Sequence, residues 1–502
     1  MLSTRRFAPT DQADELEGED VALFTVEQLV EITGARVLTP VDSSRLRKGI
    51  ERLATDSRDV HPGDLFVALA GERYDGHEFV EAAVRQGALG AIVLGRPGDP
   101  PLVRSKSTGH ESAGQPPLLL GVADTLLAYQ QLAAYHRSRF DIPIVAVTGS
   151  NGKTTTKDMA AAILAERGTV LKTEGNLNNR IGVPRTLLRL TDRHEAAVIE
   201  LGVDQVGQTT RLCEIVRPTI GLITNIGPDH LEFFGNLEAS AQSKAEMLDL
   251  MSPEGAVVLN ADDAYFGYLA ARARCRVLSF GFSAAAQVRA ADVVSDVEAG
   301  MAFQLVLPGR TRHPHVVLPV HGVHNLSNAL AAAAVGHLLG MTGAAIARGL
   351  AKFTPATMRS QVSRVSGVTI INDCYNANPA SMKAAIDLLV ELGAGHRTVA
   401  VLGDMLELGT DSPTLHREVG AYLTRKGVAS LIAVGELGRG LAAGAGDAGL
   451  SPEQIREVPD AGQAARAVKA LVREGDVVLV KASRRMQLEQ VVEQLCSSRK
   501  LV

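Results

Sequence analysis

The stretch "IPIVAVTGSNGKTTTKDMAAAILAERG", Ile142 to Gly168, decides the fold of the chain around it. Its apolar run through Val147 has the character of a strand buried on both faces. The run gives way to glycine and small polar residues, and then to good helix formers. A strand, a tight loop and a helix in that order turn successive backbone N–H groups toward an anion. Gly149 and Gly152 remove the side chains that would block its approach. Lys153 supplies a cation for the β and γ oxygens of a nucleotide, and Thr154 a hydroxyl for Mg2+. A plain N-capped helix after a glycine turn needs no Gly-Lys-Thr-Thr. One part of the usual signature is missing, because its first glycine is replaced by Val147.

At 502 residues the chain exceeds a single core and implies about two to four domains. With 46% hydrophobic and 21% charged residues the composition is globular, and a net charge of -5 gives no basic surface for nucleic acid or an anionic membrane. Cys213, Cys275, Cys374 and Cys496 form no CxxC pair. Neither a disulfide framework nor a zinc cluster is expected, and a reducing compartment fits. No apolar run approaches the ~20 residues of a membrane span. "MLSTRRFAPTDQADELEGED" lacks the apolar core of a signal peptide. A cytoplasmic monomer is expected, with a disordered acidic extension over residues 1–22.

The fold class implied is α/β in three domains. A central P-loop ATPase domain with a parallel sheet (141–355) is flanked by a small N-terminal α/β domain (23–140) and a C-terminal Rossmann-like α/β domain (356–502). The central strands are "IPIVAVT", "AAVIELG", "TIGLITNIG", "GAVVLNADD" and "RVLSFGF", near-continuous apolar runs suited to a parallel sheet. "ADVVSDVEAGMAFQLVLPG" alternates, as an antiparallel appendage does. "VTIINDCY", "RTVAVLG", "LIAVG" and "DVVLVKAS" supply strands of the third domain. Arg96 to Pro117, rich in Pro, Gly and Ser, is expected to be a surface loop or disorder.

"VIELGVD" puts Glu200 at a strand end, and "ITNIGPDHLEFFG" puts His230 just past another. Ligands of open α/β sheets bind at such carboxyl ends, so Lys153, Glu200 and His230 are expected to converge. Singly, a strand-end Glu is more often solvated and a lone His structural. Three strand ends in order favour a site.

"TGSNGKTTT" resembles the ATP loop of the Mur ligases, amide ligases of peptidoglycan synthesis, whose loop starts at a Thr-Gly pair and does not require the missing glycine. Folylpolyglutamate synthases are related. The resemblance covers residue 24 to the C-terminus. It implies ATP contacts from Thr148, Gly149, Ser150, Asn151, Gly152, Lys153, Thr154, Thr155, Asn179, His324, Asn325, Arg359 and Asp373. Asn260 and Asp263 are weaker candidates on the adenine side. Mg2+ would be held by Thr154, Glu200, His230 and Lys244, the last carbamylated by CO2 and so turned from cation to anion. Without that context Lys244 reads as a solvated helix lysine. Lys153, Lys244, His230 and Glu200 are the implied catalytic set.

"DSRDVHPGDLFVALAG" resembles the stretch that binds the uridine nucleotide in three subgroups, implying roles for Asp56, Ser57 and Arg58. "NDCYNANPASM", "VLGDMLELG", His416 and "VKASR" resemble the D-alanyl-D-alanine-adding subgroup. That subgroup implies a UDP-N-acetylmuramoyl-tripeptide and D-alanyl-D-alanine as substrates, with Tyr375, Asn376 and Asn378 at the dipeptide. Several positions depart from the family pattern: Asp204 and Gln208 stand where Asn and Glu are usual, Met358 precedes Arg359, Ala482 follows Lys481, and "IGPDHLE" replaces "IG.AHLE". Of these, only Asp204 and Gln208 are expected to touch polar chemistry.

The alternative enzyme is a relative that adds the third stem residue, or a folylpolyglutamate synthase. A GTPase switch is a reading of another class, since Asp204 to Gly207 forms a DxxG. Its base-reading motif is missing, because Ser243-Lys244-Ala245-Glu246 ends in Glu where Asp belongs. An inactive nucleotide-binding partner is disfavoured by the presence of Lys153, Thr154, Glu200, His230 and Lys244 together.

Overall fold

The structure is a computed structural model. It describes residues 22–71, 74–95, 116–296 and 299–499. The extension expected over 1–22 and the insertion expected over 96–117 lie outside them, save Ala22, Pro116 and Pro117. The chain divides into two compact units, one ending at His136 and the other beginning at Arg137.

The first unit is built on a five-stranded sheet in the order Arg36–Val37, Leu118–Val122, Gly90–Leu94, Leu65–Val67 and Leu53–Ala54. Only the first pair is antiparallel. Phe66, Ala68, Val80, Ala83, Ala91 and Val93 pack the core beneath it.

The second unit contains two six-stranded sheets and a three-stranded one. The strands of the first run edge to edge as Arg276–Phe280, Ala256–Asn260, Ile220–Ile223, Ile144–Thr148, His194–Glu200 and Thr169–Lys172, all parallel. Ile144–Thr148 is the earliest of these in the chain and lies in the interior. Its successors fill one side and then the other, so the order reverses beside it. That reversal opens a crevice at the carboxyl end of Ile144–Thr148, where the glycine loop begins.

The helix after the loop, Lys153–Leu164, is clamped by two others, Val323–Leu338 and Gly343–Ala351. Ala329, Ala331, Ala332, Ala333 and Ala334 are wholly buried along the first. Side chains this small let the helices approach closely. At Gly349 a Cβ would fall 2.4 Å from the backbone Cα of Ile163. Small residues thus fix the loop helix by backbone proximity.

The alternating segment forms an antiparallel sheet of Arg289–Asp296, Gly300–Val306 and His315–Leu318, as its pattern implies. The last sheet runs Gln361–Val365, Val368–Asn372, Val477–Lys481, Thr398–Gly403, Ser430–Val434 and Ile455–Val458, with only Gln361–Val365 antiparallel. Among the described residues no helix is long and apolar enough to cross a membrane.

Gly349→Ala is expected to destabilise the chain by about 1–3 kcal/mol through overpacking. Exposed Gly267, also helical and with nothing within 4 Å of where a Cβ would stand, should tolerate Ala or gain stability. Urea denaturation of the two variants reads the difference, and equal effects would contradict the packing account.

Candidate functional site

Val147 lies in the strand, fully buried, which explains why no glycine is needed there. The turn is made by Gly149 at φ 136° and Gly152 at φ 80°. Neither has room for a side chain: a Cβ would come within 2.0 Å of Thr224 Oγ1 at Gly149 and within 2.2 Å of Asn328 Oδ1 at Gly152. The intervening backbone is tied to the next strand. Ser150 N donates to Asn225 O at 2.9 Å, Asn151 N to Asn225 Oδ1 at 2.9 Å, and Thr224 Oγ1 to Asn151 O at 2.6 Å. Lys153 Nζ donates to the carbonyls of Gly149 and Ser150 at 2.6 and 3.3 Å, so the ammonium stays over the loop. Thr154 is buried in the first helical turn and Thr155 is half-buried.

Glu200 is level with Val147 in the adjoining strand. Its Oε1 accepts from Asn178 Nδ2 at 2.8 Å, while its buried Oε2 has no partner. A buried carboxylate oxygen left bare costs free energy unless a cation meets it. It suits a hard divalent ion. Among the described residues no three His, Cys, Asp or Glu side chains close on one point. Mg2+ fits such a place, since it keeps waters and substrate phosphate oxygens in its shell rather than demanding an all-protein cage.

Lys244 is buried and bonded to Ser240 Oγ at 2.7 Å and Asp229 Oδ1 at 3.1 Å, with Phe234 beneath its ammonium. Asp229 also accepts from Ser150 Oγ at 2.7 Å, so the pair reaches the loop. Burial pulls the Lys244 pKa down to about 8, and Lys153 pushes the same way against Asp229. Burial raises Asp229, yet Lys244 and Lys153 hold it below the ordinary carboxylate value. The expectation that only Asp204 and Gln208 among the departures touch polar chemistry is therefore corrected: Asp229, in "IGPDHLE", is the counter-ion of Lys244. Asp204 and Gln208 satisfy each other, Gln208 Nε2 donating to Asp204 Oδ1 at 2.7 Å and Asp204 N to Gln208 Oε1 at 3.1 Å. Relative to the usual Asn and Glu, the amide and the carboxylate have changed places.

His230, at φ 50°, has its Nδ1 2.7 Å from Glu407 Oε2. From the last sheet, Asp373 and Lys481 meet at adjacent strand ends, with Lys481 Nζ 2.6 Å from Asp373 Oδ2 and 2.7 Å from Asn376 O. Arg359, between Met358 and Ser360 at φ 59° and φ 48°, stacks on Tyr375 at 4.0 Å. Asn378 caps the helix Pro379–Leu392, and its Nδ2 donates to Asn151 Oδ1 of the loop at 2.9 Å. Asn376 is exposed.

Asn179 is exposed and its Oδ1 caps Ile181 N and Gly182 N, so the asparagine on Glu200 is its neighbour Asn178. His324 faces Ser360 Oγ at 3.2 Å, and burial lowers its pKa. Asn325 Nδ2 donates to His321 O, and one turn on Asn328 accepts from Thr156 Oγ1 at 3.2 Å beneath the loop. Asn260 and Asp263 brace the strand end, bonding Thr224 O and Ile226 N. His416 is a core histidine, its Nε2 accepting from Met405 N. In the first unit Asp56 caps a short turn and is paired with the exposed Arg58, Nη2 to Oδ2 at 2.7 Å; Ser57 follows it in that turn. The GTPase reading fails on geometry, because both Glu246 oxygens are taken, by Gly207 N and by Thr210. Asp229, Asn178, Asn328 and Glu407 are the residues the sequence did not single out.

Residues 147–336 match the Mur ligase middle domain, 358–484 the Mur ligase glutamate ligase domain, and 49–111 the Mur ligase family catalytic domain. The chain is 38% identical to the UDP-N-acetylmuramoyl-tripeptide--D-alanyl-D-alanine ligase of Synechocystis sp., over 89% of this chain and 92% of that protein. The enzyme of the same name from Escherichia coli is 37% identical over 89% and 94%. A crystal structure of MurF from Acinetobacter baumannii superposes with a TM-score of 0.84 at 31% identity, covering 94% of this chain and 99% of that one. MurF ligase from Thermotoga maritima in complex with ADP gives 0.77 at 28% identity, covering 89% and 98%.

Folded, the chain releases the Lys244 proton near pH 8; unfolded, a lysine holds it to about 10.4. Between those values the unfolded state binds more protons, so this group makes stability rise with pH. In CO2-free buffer, urea denaturation should show a steeper rise from about pH 8 to 10 in the wild type than in Lys244→Met. Parallel pH profiles would contradict the assignment.

Proposed function

Because the chain belongs to the Mur ligase family, we propose that it joins D-alanyl-D-alanine to UDP-N-acetylmuramoyl-tripeptide at the expense of ATP, completing the pentapeptide used for peptidoglycan. The observation that carries the phosphate end is the bare, buried Glu200 Oε2 at the strand end beside the glycine loop. The work is assigned to the cytoplasm, to a monomer.

A carboxylate is a poor electrophile, so it is activated first. An oxygen of the tripeptide's carboxylate attacks the γ-phosphorus, the bond to the β–γ bridging oxygen breaks, and ADP leaves. The dipeptide amine then attacks the acyl carbon, phosphate departs, and the nitrogen loses its proton. In the first step anion meets anion. Lys153 and the amides at the start of the helix, Gly152 to Thr155, offset that charge in a fixed, partly buried setting, while those of Ser150 and Asn151 hold the loop to Asn225. Thr154 and Glu200 would hold one Mg2+, and His230 with carbamylated Lys244 a second, supplying further positive charge at the phosphates.

The low Lys244 pKa leaves part of the amine neutral, the form whose lone pair can attack the carbon of CO2, the nitrogen then losing a proton. Carbamylation turns the Asp229 partner from cation to anion, and a divalent ion would relieve the repulsion. Arg359 and Asp373 reach the nucleotide from the last sheet, and His324 and Asn325 from the helix beneath. Tyr375 and Asn376 position the dipeptide, with Asn378 acting through Asn151. Asp56, Ser57 and Arg58 are assigned to the uridine nucleotide, Arg58 exchanging Asp56 for a pyrophosphate.

Phosphate release with ATP and UDP-N-acetylmuramoyl-tripeptide should require D-alanyl-D-alanine and fall at least ~100-fold in Lys153→Ala. A requirement for a diamino acid or for glutamate instead would move the chain to another branch of the family. With 13C-bicarbonate the wild type should show a carbamate carbon that Lys244→Met lacks; its absence from both would remove the modification from the scheme.

A further inference from the structure

His230 and Glu407 meet from positions 177 residues apart, at φ 50° and φ 64°. That region is uncommon outside glycine. Two such residues facing each other across one hydrogen bond have a geometry imposed by their surroundings.

The segment that presents Glu407 is pinned residue by residue. Buried Asp404 accepts from Gly438 N at 2.8 Å, and its carbonyl accepts from Ser483 N at 3.1 Å. Met405 N donates to His416 Nε2 at 2.9 Å, and Leu406 N to Ser483 Oγ at 2.9 Å. His416 is itself oriented, its Nδ1 donating to Ser412 O at 2.6 Å. These anchors come from several different elements and leave Glu407 little freedom. On the other side, Glu232 N donates to Glu407 O at 3.1 Å, docking the segment onto the helical turn that His230 starts. Arg485 Nη2 stands 3.4 Å from Oε1, leaving Oε2 for the imidazole.

A carboxylate on Nδ1 keeps the proton there and leaves the lone pair on Nε2, which is the tautomer a divalent cation needs. We propose that Glu407 is the positioning residue for His230, fixing its ring and tautomer so that Nε2 binds the metal. The metal affinity of the ATP-binding sheet is then set partly by a loop of the last sheet. This rests on the reading of His230 as a metal ligand.

In the full chain labelled with 15N-histidine, the His230 signals, assigned by their loss in His230→Ala, should show protonated Nδ1 and bare Nε2. Mn2+ titrated with a non-hydrolysable ATP analogue bound, followed by EPR, should bind about 10–100-fold more weakly to Glu407→Ala. The Mg2+ concentration for half-maximal turnover should rise in step. Glu407→Gln should recover part of the loss, because its amide oxygen still accepts from Nδ1–H. A loss of Mn2+ affinity in His230→Ala with none in Glu407→Ala would overturn the proposal alone. Unchanged affinity in His230→Ala would overturn the ligand reading with it. Should Glu407→Ala fail to fold, the wild-type tautomer decides: a proton on Nε2 overturns the proposal.

Discussion

The structure turns on two places where no side chain fits. Gly149 and Gly152 sit at positive φ with Thr224 Oγ1 and Asn328 Oδ1 in the space a Cβ would take. Those two polar atoms belong to a neighbouring strand end and to the helix packed beneath. The loop is therefore gripped from two sides rather than left as a free turn, and its amides are fixed before any anion arrives. The same helix is drawn in by alanines and by Gly336, whose Cβ would lie 2.8 Å from Ile163 Cγ2. Packing of the core and the shape of the site are one constraint.

Around that loop the charges are arranged in pairs that burial makes consequential. Lys244 and Asp229 neutralise each other out of water, Lys153 presses on both, and Glu200 keeps one oxygen bare. Breaking such a pair strands a buried charge, so the cluster resists partial change. It accommodates instead a concerted one, in which cations and a phosphate chain enter together. The last sheet contributes to the same region through Asn378 on the loop and Glu407 on His230.

What the sequence disclosed was what lies close together along it. The glycine loop, its lysine and threonine, and the strand that feeds them are contiguous, and Glu200 and His230 follow apolar runs that mark strand ends. Thr169–Lys172, Gln361–Val365 and Ile455–Val458 escape an apolar-run criterion because each is a sheet edge, half wetted and so mixed in composition. Asp229, Asn178 and Asn328 were hidden for another reason. Their meaning lies in partners far along the chain, such as Asn328 with Thr156, 172 residues away. Asn178 touches Glu200 while Asn179 beside it caps the following turn, a difference of direction that one residue of spacing decides. Asp204 and Gln208, the departures expected to touch polar chemistry, hydrogen-bond each other.

The central claim is that the loop and the strand end beside it grip a magnesium-bound triphosphate. A crystal structure of the chain with Mg2+ and a non-hydrolysable ATP analogue tests it most directly. The β-phosphate should rest among the loop amides with Lys153 Nζ in contact, and the ion should join Thr154 Oγ1 to the oxygen of Glu200 that now lacks a partner. A nucleotide bound with Lys153 still on its own loop carbonyls and Glu200 untouched would contradict the account.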